Sequence, residues 1–441
     1  MRINGIRLPA LIAFTRCLAA AIVLPTSVAA DVIDPSVAMQ QRPCPEQLGA
    51  LATCYSGRDS NGAWYLAAVP KDWNQALVVH AHGGPRLGQP KPNDSDEDLE
   101  RFAIMVSKGY AWVGSTYRRG GYGVRMAAAD VDNSRAAFWS RFGQPKLTIL
   151  HGQSYGGNVA AKLAELHALD SEGRKLYDGV ILTNGVLWGG TRAYGFRADL
   201  RAVYQYFCRN HPRPDEPQYP LWQGLPLDSA MTRSELELRF NECTGAEMFS
   251  GKRSIEQQHR LSAIARVTGI NDRYLLRHLE WATFTFRDLV QLRLNGANPF
   301  DNSRMVYRGS RQDRDLNREI ERFAADPAAV AKLAYDSDLS GQIVLPTITL
   351  HALHDPIVSA KADAYYGRLV AQSGNTRLLA QYLTNGDNHS RLSDAEVLAA
   401  LEGLKDWIET KARPVPGQIE VRCAGLEKLL GQPCLFLRST P

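Results

Sequence analysis

Ser154 stands in the run Gly152-Gln153-Ser154-Tyr155-Gly156. A serine hydroxyl is a weak nucleophile at neutral pH. It becomes a good one when a base takes its proton, a carboxylate orients that base, and fixed N–H groups meet the developing oxyanion. Glycines on either side suit a turn too tight for larger residues. The chemistry would be acyl transfer to the serine and then to water. The run by itself is common, so its flanks decide. Residues 147–150 are apolar and strand-like, and residues 159–169 are rich in Ala and Leu. A nucleophile on a strand-to-helix turn is therefore expected, in preference to a glycine-rich turn with a structural serine.

Around this turn, strand-like and helical stretches alternate. Residues 53–69 read as a hairpin with Asn61-Gly62 at its turn. Residues 77–80 are a short apolar run leading into His82-Gly83-Gly84-Pro85, a strand and then a loop. A helix is expected over 98–108, a strand over 110–116, a helix over 127–142 and a strand over 180–183. Such alternation predicts a mostly parallel, doubly wound sheet with helices on both faces. It stops over residues 191–339, which hold helical patterns near 232–243, 254–267, 272–293 and 314–334. It resumes with a strand over 343–350, a helix over 360–372, a strand over 377–383 and a helix over 393–410. The last opens on a capping box, Ser393-Asp394-Ala395-Glu396. Neither half of the sheet is large alone, so one fold with an insertion is expected. The core would comprise 31–190 and 340–412, the helical lid 191–339, and a surface-wrapping tail 413–441.

On these residues the chain resembles the α/β-hydrolase superfamily, over 53–190 and 340–412 but not over the insertion. The resemblance implies an α/β-hydrolase fold with the lid inserted after the sixth strand. It also implies the order Ser…Asp…His, with the acid after the seventh strand and the histidine after the eighth. Asp355, in Leu353-His354-Asp355-Pro356-Ile357-Val358, follows the strand 343–350. His389, in Asn385-Gly386-Asp387-Asn388-His389-Ser390, follows the strand 377–383. His389 would take the Ser154 proton and return it to the leaving group, and Asp355 would hold the imidazole tautomer. The oxyanion donors would be the N–H of Tyr155 and that of Gly84, with Gly83 the fallback, because His82-Gly83-Gly84-Pro85 resembles the family's HG-x loop. The competing reading of that loop is a plain Gly-Pro turn.

Other polar residues have plainer expectations. Asp387 reads as a turn residue rather than the acid. His351 and His354 lie too close to Asp355 in sequence to reach Ser154. His151 is expected under the turn, His80 and His82 before the glycine loop, with His82 supporting it through hydrogen bonds. His167, His211, His259 and His278 read as surface or lid residues. Tyr117-Arg118-Arg119-Gly120-Gly121 reads as a structural turn, although Arg118 or Arg119 could meet an anionic substrate. Trp222, Trp281, Phe284 and Phe286 are candidates for a substrate wall, with ordinary packing as the alternative.

The N-terminus reads as a secretory signal, residues 1–30: Arg2 and Arg7, then an apolar stretch split by Arg16, then Val28-Ala29-Ala30. The uninterrupted apolar part is shorter than the roughly 20 residues of a membrane span. Cys17 lies inside it without the small residues of a lipid-anchor site. Six cysteines remain, Cys44, Cys54, Cys208, Cys243, Cys423 and Cys434, an even number that suits disulfides in an exported chain. The three local pairs, 44–54, 208–243 and 423–434, are the simplest proposal. Net charge is +5, and removing Arg2, Arg7 and Arg16 leaves +2 on the rest. That is no footprint for nucleic acid. No metal or cofactor is called for: there is no H-E-x-x-H, and the Gly-Gly pairs at 120–121 and 189–190 lack a phosphate-loop pattern.

The leading expectation is an exported or periplasmic serine hydrolase of carboxylic esters. A peptidase or amidase is the alternative, because Gly-Gln-Ser-Tyr-Gly-Gly and His-Gly-Gly-Pro are also similar to prolyl aminopeptidases and oligopeptidases. Those aminopeptidases continue the loop as H-G-G-P-G and follow the next strand with an Asp-Gln-Arg-Gly turn. Here Arg86 follows Pro85, and the turn is Thr116-Tyr117-Arg118-Arg119. A binding protein that kept the scaffold is the third reading. The oligomeric state is not legible in the sequence.

Overall fold

The structure, a computed structural model, describes residues 37–246 and 250–437. The expected signal at 1–30, with Cys17, lies outside the described residues. Among the described residues nine strands form one sheet: β1 (Val37–Arg42), β2 (Ala52–Arg58), β3 (Trp64–Pro70), β4 (Ala76–Ala81), β5 (Ala111–Ser115), β6 (Leu147–Gln153), β7 (Gly179–Thr183), β8 (Thr347–Ala352) and β9 (Leu379–Thr384). Their order is β1-β2-β3-β5-β4-β6-β7-β8-β9. The first three pairings are antiparallel and the remaining five parallel. Every residue of β4 to β8 is buried, as strands covered on both faces must be. This is the sheet of the α/β-hydrolase fold. The edge strand β1 was not expected, so the insertion follows the seventh strand of the sheet rather than the sixth.

The chain leaves β4 toward β5 on one side and returns to β6 on the other. The loops after β4 and β6 therefore diverge, and a crevice opens at the carboxyl ends of these neighbours. Helix Val124–Phe142, helix Tyr155–His167 and the inserted helices share one hydrophobic core. Helices Asp96–Arg101, Ala103–Ser107, Asp394–Thr410 and Gln418–Leu430 build the other. Ser393 and Glu396 form the expected capping box.

The inserted segment departs more from expectation. Helix Gly195–Cys208 was missed: it has no side-chain cap and carries several aromatic residues of middling propensity. The pattern over 272–293 becomes helix Leu275–Glu280 followed by π-helical turns Trp281–Thr285 and Arg287–Arg293. The pattern over 314–334 breaks into Asp313–Glu319 and Pro327–Ser337, because Pro327 lacks an N–H and starts a helix instead, capped by Asp326. Pro346 likewise delays β8 to Thr347. The two ends of the segment meet: Thr191 Oγ1 donates to Asp338 Oδ2 at 2.5 Å.

The tail is a helix, Gln418–Leu430, packed on Asp394–Thr410, followed by an extended stretch along β9. Leu437 N–H donates to Leu383 O at 2.8 Å, and Asn385 N–H to Leu435 O at 2.8 Å. The tail thereby covers part of the sheet's free edge. Disulfides join Cys44–Cys54, Cys208–Cys243 and Cys423–Cys434, the three local pairs. No helix among the described residues is long and apolar enough to cross a membrane.

Candidate active site

Ser154 sits between β6 and helix Tyr155–His167 with φ 60° and ψ −122°. A non-glycine residue there carries strain of about 1–3 kcal/mol. Hydrogen bonds hold it: its N–H donates to Thr183 O at 3.0 Å, and its carbonyl accepts from Gly157 and Val186 N–H at 2.9 Å each. The glycines on either side are required by space. A Cβ on Gly152 would collide with the Gly156 carbonyl, and one on Gly156 with the carbonyls of Ala81 and His82.

The loops after β8 and β9 bring Asp355 and His389 to this turn. His389 Nε2 lies 2.7 Å from Ser154 Oγ, and His389 Nδ1 lies 2.7 Å from Asp355 Oδ2. The other Asp355 oxygen accepts from Ile357 N–H at 2.8 Å and Val358 N–H at 3.0 Å. Burial alone would raise the Asp355 pKa. The hydrogen bonds from His351 and His389 and from the Val358 N–H outweigh it and hold the carboxyl well below its usual range. An ionised Asp355 accepts, so Nδ1 of His389 carries the proton and Nε2 is left to accept from Ser154 Oγ.

Residues not singled out for the purpose fix this arrangement. Asn184, just past β7, donates from Nδ2 to His389 O at 2.8 Å, and Gln153 Nε2 donates to the same carbonyl at 3.0 Å. His351 is fully buried, with Nδ1 2.5 Å from Asp363 Oδ2 and Nε2 3.5 Å from Asp355 Oδ2. Burial disfavours its cation, but Asp363 and then Asp355 beside it raise its pKa to about 10. An Asn directly before Gly185 at the carboxyl end of a parallel strand is the sequence signal that points to Asn184.

The glycine loop abuts the serine. A Cβ on Gly83 would stand 3.3 Å from Ser154 Cβ, and Gly84 lines the cavities over the serine. His82 supports this loop as expected: Nδ1 lies 2.9 Å from Gly83 O and its ring stacks on Tyr117. Burial, and then Arg86, lower its pKa to about 3. His151 lies buried under the turn with Nδ1 2.9 Å from His80 Nδ1. His354 is exposed and bonds Asn385, and Asp387 is exposed with no bond to His389. His167 and His259 are exposed, whereas His211 and His278 are buried within the inserted segment. Arg118 is spent on Asp130 at 2.6 Å, and Arg119 reaches only backbone carbonyls, so neither faces the serine.

A cavity of about 900 Å³ opens over Ser154, between the core loops and the inserted segment. A second, of about 330 Å³, adjoins it at Ser154 and Gly84. Of the four aromatic wall candidates, Trp281 lines both. Phe286 is buried against Phe300, and Trp222 and Phe284 pack on the core. Trp188, Tyr194, Phe196 and Tyr274 complete the wall instead. Arg197 also lines both cavities and is 4% exposed. Its Nε donates to His278 Nδ1 at 3.1 Å, and Nη2 reaches Ile357 O at 3.4 Å. His278 Nε2 lies 3.0 Å from Pro356 O, so it carries the proton and the ring is neutral. Burial, and then Arg197, keep the His278 pKa down at about 3.

The sheet order and the serine on a strand-to-helix turn define the α/β-hydrolase fold. No family model matches the sequence, and no curated protein matches it either. Solved structures similar to it include lipase A of Candida antarctica, with 12% identity and a TM-score of 0.44 over 86% of this chain and 83% of that one. Feruloyl esterase B from Aspergillus oryzae has 12% identity and a TM-score of 0.43, over 86% and 88%. The rice cell wall degrading esterase LipA from Xanthomonas oryzae has 13% identity and a TM-score of 0.39, over 85% and 97%.

Proposed function

We propose that the protein is an exported serine hydrolase of carboxylic esters, with Ser154 as nucleophile, His389 as base and Asp355 as orienting acid. The observation that carries this is the pair of 2.7 Å contacts linking Ser154 Oγ, His389 and Asp355. His389 Nε2 takes the Ser154 proton as Oγ attacks the ester carbonyl. The N–H groups of Tyr155 and of Gly84, or of its neighbour Gly83, receive the oxyanion. The imidazolium then protonates the leaving alcohol. Water activated by His389 releases the acid and frees Ser154. The inserted segment acts as a lid that shapes the substrate cavity.

The aminopeptidase reading is disfavoured by charge. Binding a substrate's free ammonium calls for carboxylates in the cavity. In the larger cavity the carboxylates are Asp355, engaged by His389, and the exposed Asp387, while Arg192, Arg197, Arg273 and Lys361 line it as well; the smaller cavity adds Glu97 and Glu280, outnumbered there by five arginines. The three disulfides support an address outside the cytoplasm. Purified protein and Ser154→Ala, tested on 4-nitrophenyl esters and on aminoacyl 4-nitroanilides, decide the matter. Ester turnover lost in the mutant, with anilides untouched, is expected. Turnover of prolyl anilides would move the protein to the peptidases.

A further inference from the structure

Arg197 is a buried cation with no carboxylate beside it. Among the described residues no ion pair engages it, and its Nη1, which is not fully buried, has no hydrogen-bond partner within the protein. Burying a guanidinium unpaired is costly. The surrounding rings offset only part of that cost: Phe196 and Trp281 lie 4.6 and 4.7 Å from its Cζ. Its one side-chain partner, His278, is neutral and supplies no charge. Burial lowers the Arg197 pKa to about 10, which leaves it a cation at neutral pH. It faces the cavity that Ser154 faces, and the exposed Arg192, Arg273 and Lys361 line that cavity too.

The geometry points to a substrate that carries a carboxylate or similar anion, seated on Arg197 while its ester lies at Ser154. A planar guanidinium with free N–H groups on one edge matches a carboxylate in two-bonded form. The exposed cations would draw such a substrate toward the opening. Nε of Arg197 is held by His278, which is anchored in turn on Pro356 O, next to Asp355. The same lock therefore fixes the anion site relative to the acid loop. This inference rests on the ester-hydrolase reading, deepening it to a substrate class.

Two probes test it: 4-nitrophenyl butyrate, which is neutral, and mono(4-nitrophenyl) glutarate, which ends in a carboxylate. Calorimetric binding to Ser154→Ala should favour the glutarate probe by about tenfold or more, the worth of a charge-assisted hydrogen bond. Arg197→Gln on that background should remove most of the preference. In the Ser154 enzyme, Arg197→Gln should raise KM for the glutarate ester far more than for the butyrate ester. A purely structural role would damage both esters alike. Arg197→Lys, which keeps charge but not the planar fork, should retain part of the preference. Should Arg197→Gln fail to fold, added salt on the parent protein should weaken the glutarate probe and spare the butyrate probe. Equal binding of both probes, or a preference that survives Arg197→Gln, overturns the proposal. Hydrolysis of both esters without discrimination would leave the esterase reading standing and this one lost. Arg197-dependent glutarate binding without hydrolysis would do the reverse.

Discussion

Asn184 Nδ2 donates to the backbone carbonyl of His389 at 2.8 Å, and Asn184 Oδ1 accepts from Ala352 N–H at 2.8 Å. One side chain, 1% exposed, thus ties the histidine loop after β9 to the end of β8 across the end of β7. It adopts φ 44°, a conformation Asn tolerates better than most residues. Asn184→Ala should lower kcat by roughly 10- to 100-fold, the cost of misplacing a base by a fraction of an ångström, while KM changes little. Gln153→Ala, which removes the second donor to the same carbonyl, should cost less. The double mutant should be worse than the product of the singles, since each donor covers for the other. Wild-type kcat in Asn184→Ala would remove it from the positioning of His389.

Ser154→Ala and His389→Ala should each lower kcat by a factor of about 10³ or more with the fold intact by circular dichroism. Asp355→Asn should also fall by orders of magnitude, because the amide no longer holds Nδ1 protonated. If Asp355→Asn kept full activity, the exposed Asp387 would become the acid to test. Steady-state kinetics on one 4-nitrophenyl ester suffice.

The parts of this site that were legible in the sequence are those with local signatures. Ser154 follows an apolar strand and precedes a good helix, and Asp355 and His389 follow the next two strands of the resumed alternation. The supporting groups have no such signature. Arg197 looks like any arginine of an amphipathic helix, and only the fold buries it among Tyr194, Phe196 and Trp281. His351, close to Asp355 in sequence, reads as poorly placed to reach Ser154, but its contact with Asp363 depends on helix Lys361–Gln372 packing back on β8, which no local pattern records. Within the insertion, periodicity found most helices but not their breaks, because Pro327 and the π-helical turns act through backbone geometry that apolar spacing does not record.

His351 makes stability depend on pH. Its folded pKa, about 10, stands above the unfolded value of about 6.5. The stabilisation is therefore full below about pH 6.5 and is lost as pH rises through about 10. Asp355 has the opposite sign: its lowered pKa contributes stability above about pH 4, lost as pH falls through the folded value. Melting temperature should thus decline from neutral pH toward pH 10. His351→Gln should melt lower at pH 7, with Asp355 and Asp363 left buried without their cation, and should lose the alkaline decline. An alkaline decline unchanged in His351→Gln would assign it to other groups.

The Cys423–Cys434 bridge reaches the histidine loop through the tail. It fixes the segment whose Leu435 carbonyl accepts from Asn385 N–H at 2.8 Å, four residues before His389. Leu435 N–H also donates to Glu396 Oε1 at 2.9 Å, at the start of the helix that follows His389. The bridge closes a short loop, 11 residues apart in sequence. Its loss, by Cys423→Ser with Cys434→Ser, should cost roughly 2–4 kcal/mol of stability. It should also lower kcat, because the freed tail no longer pins the turn at Asn385. Removing Cys44–Cys54, on the far edge of the sheet beside β1 and β2, should cost comparable stability and spare kcat. Melting curves and kcat measured on both double mutants separate the two. Equal kcat in both, with both destabilised, would show that the tail supports the fold without positioning His389.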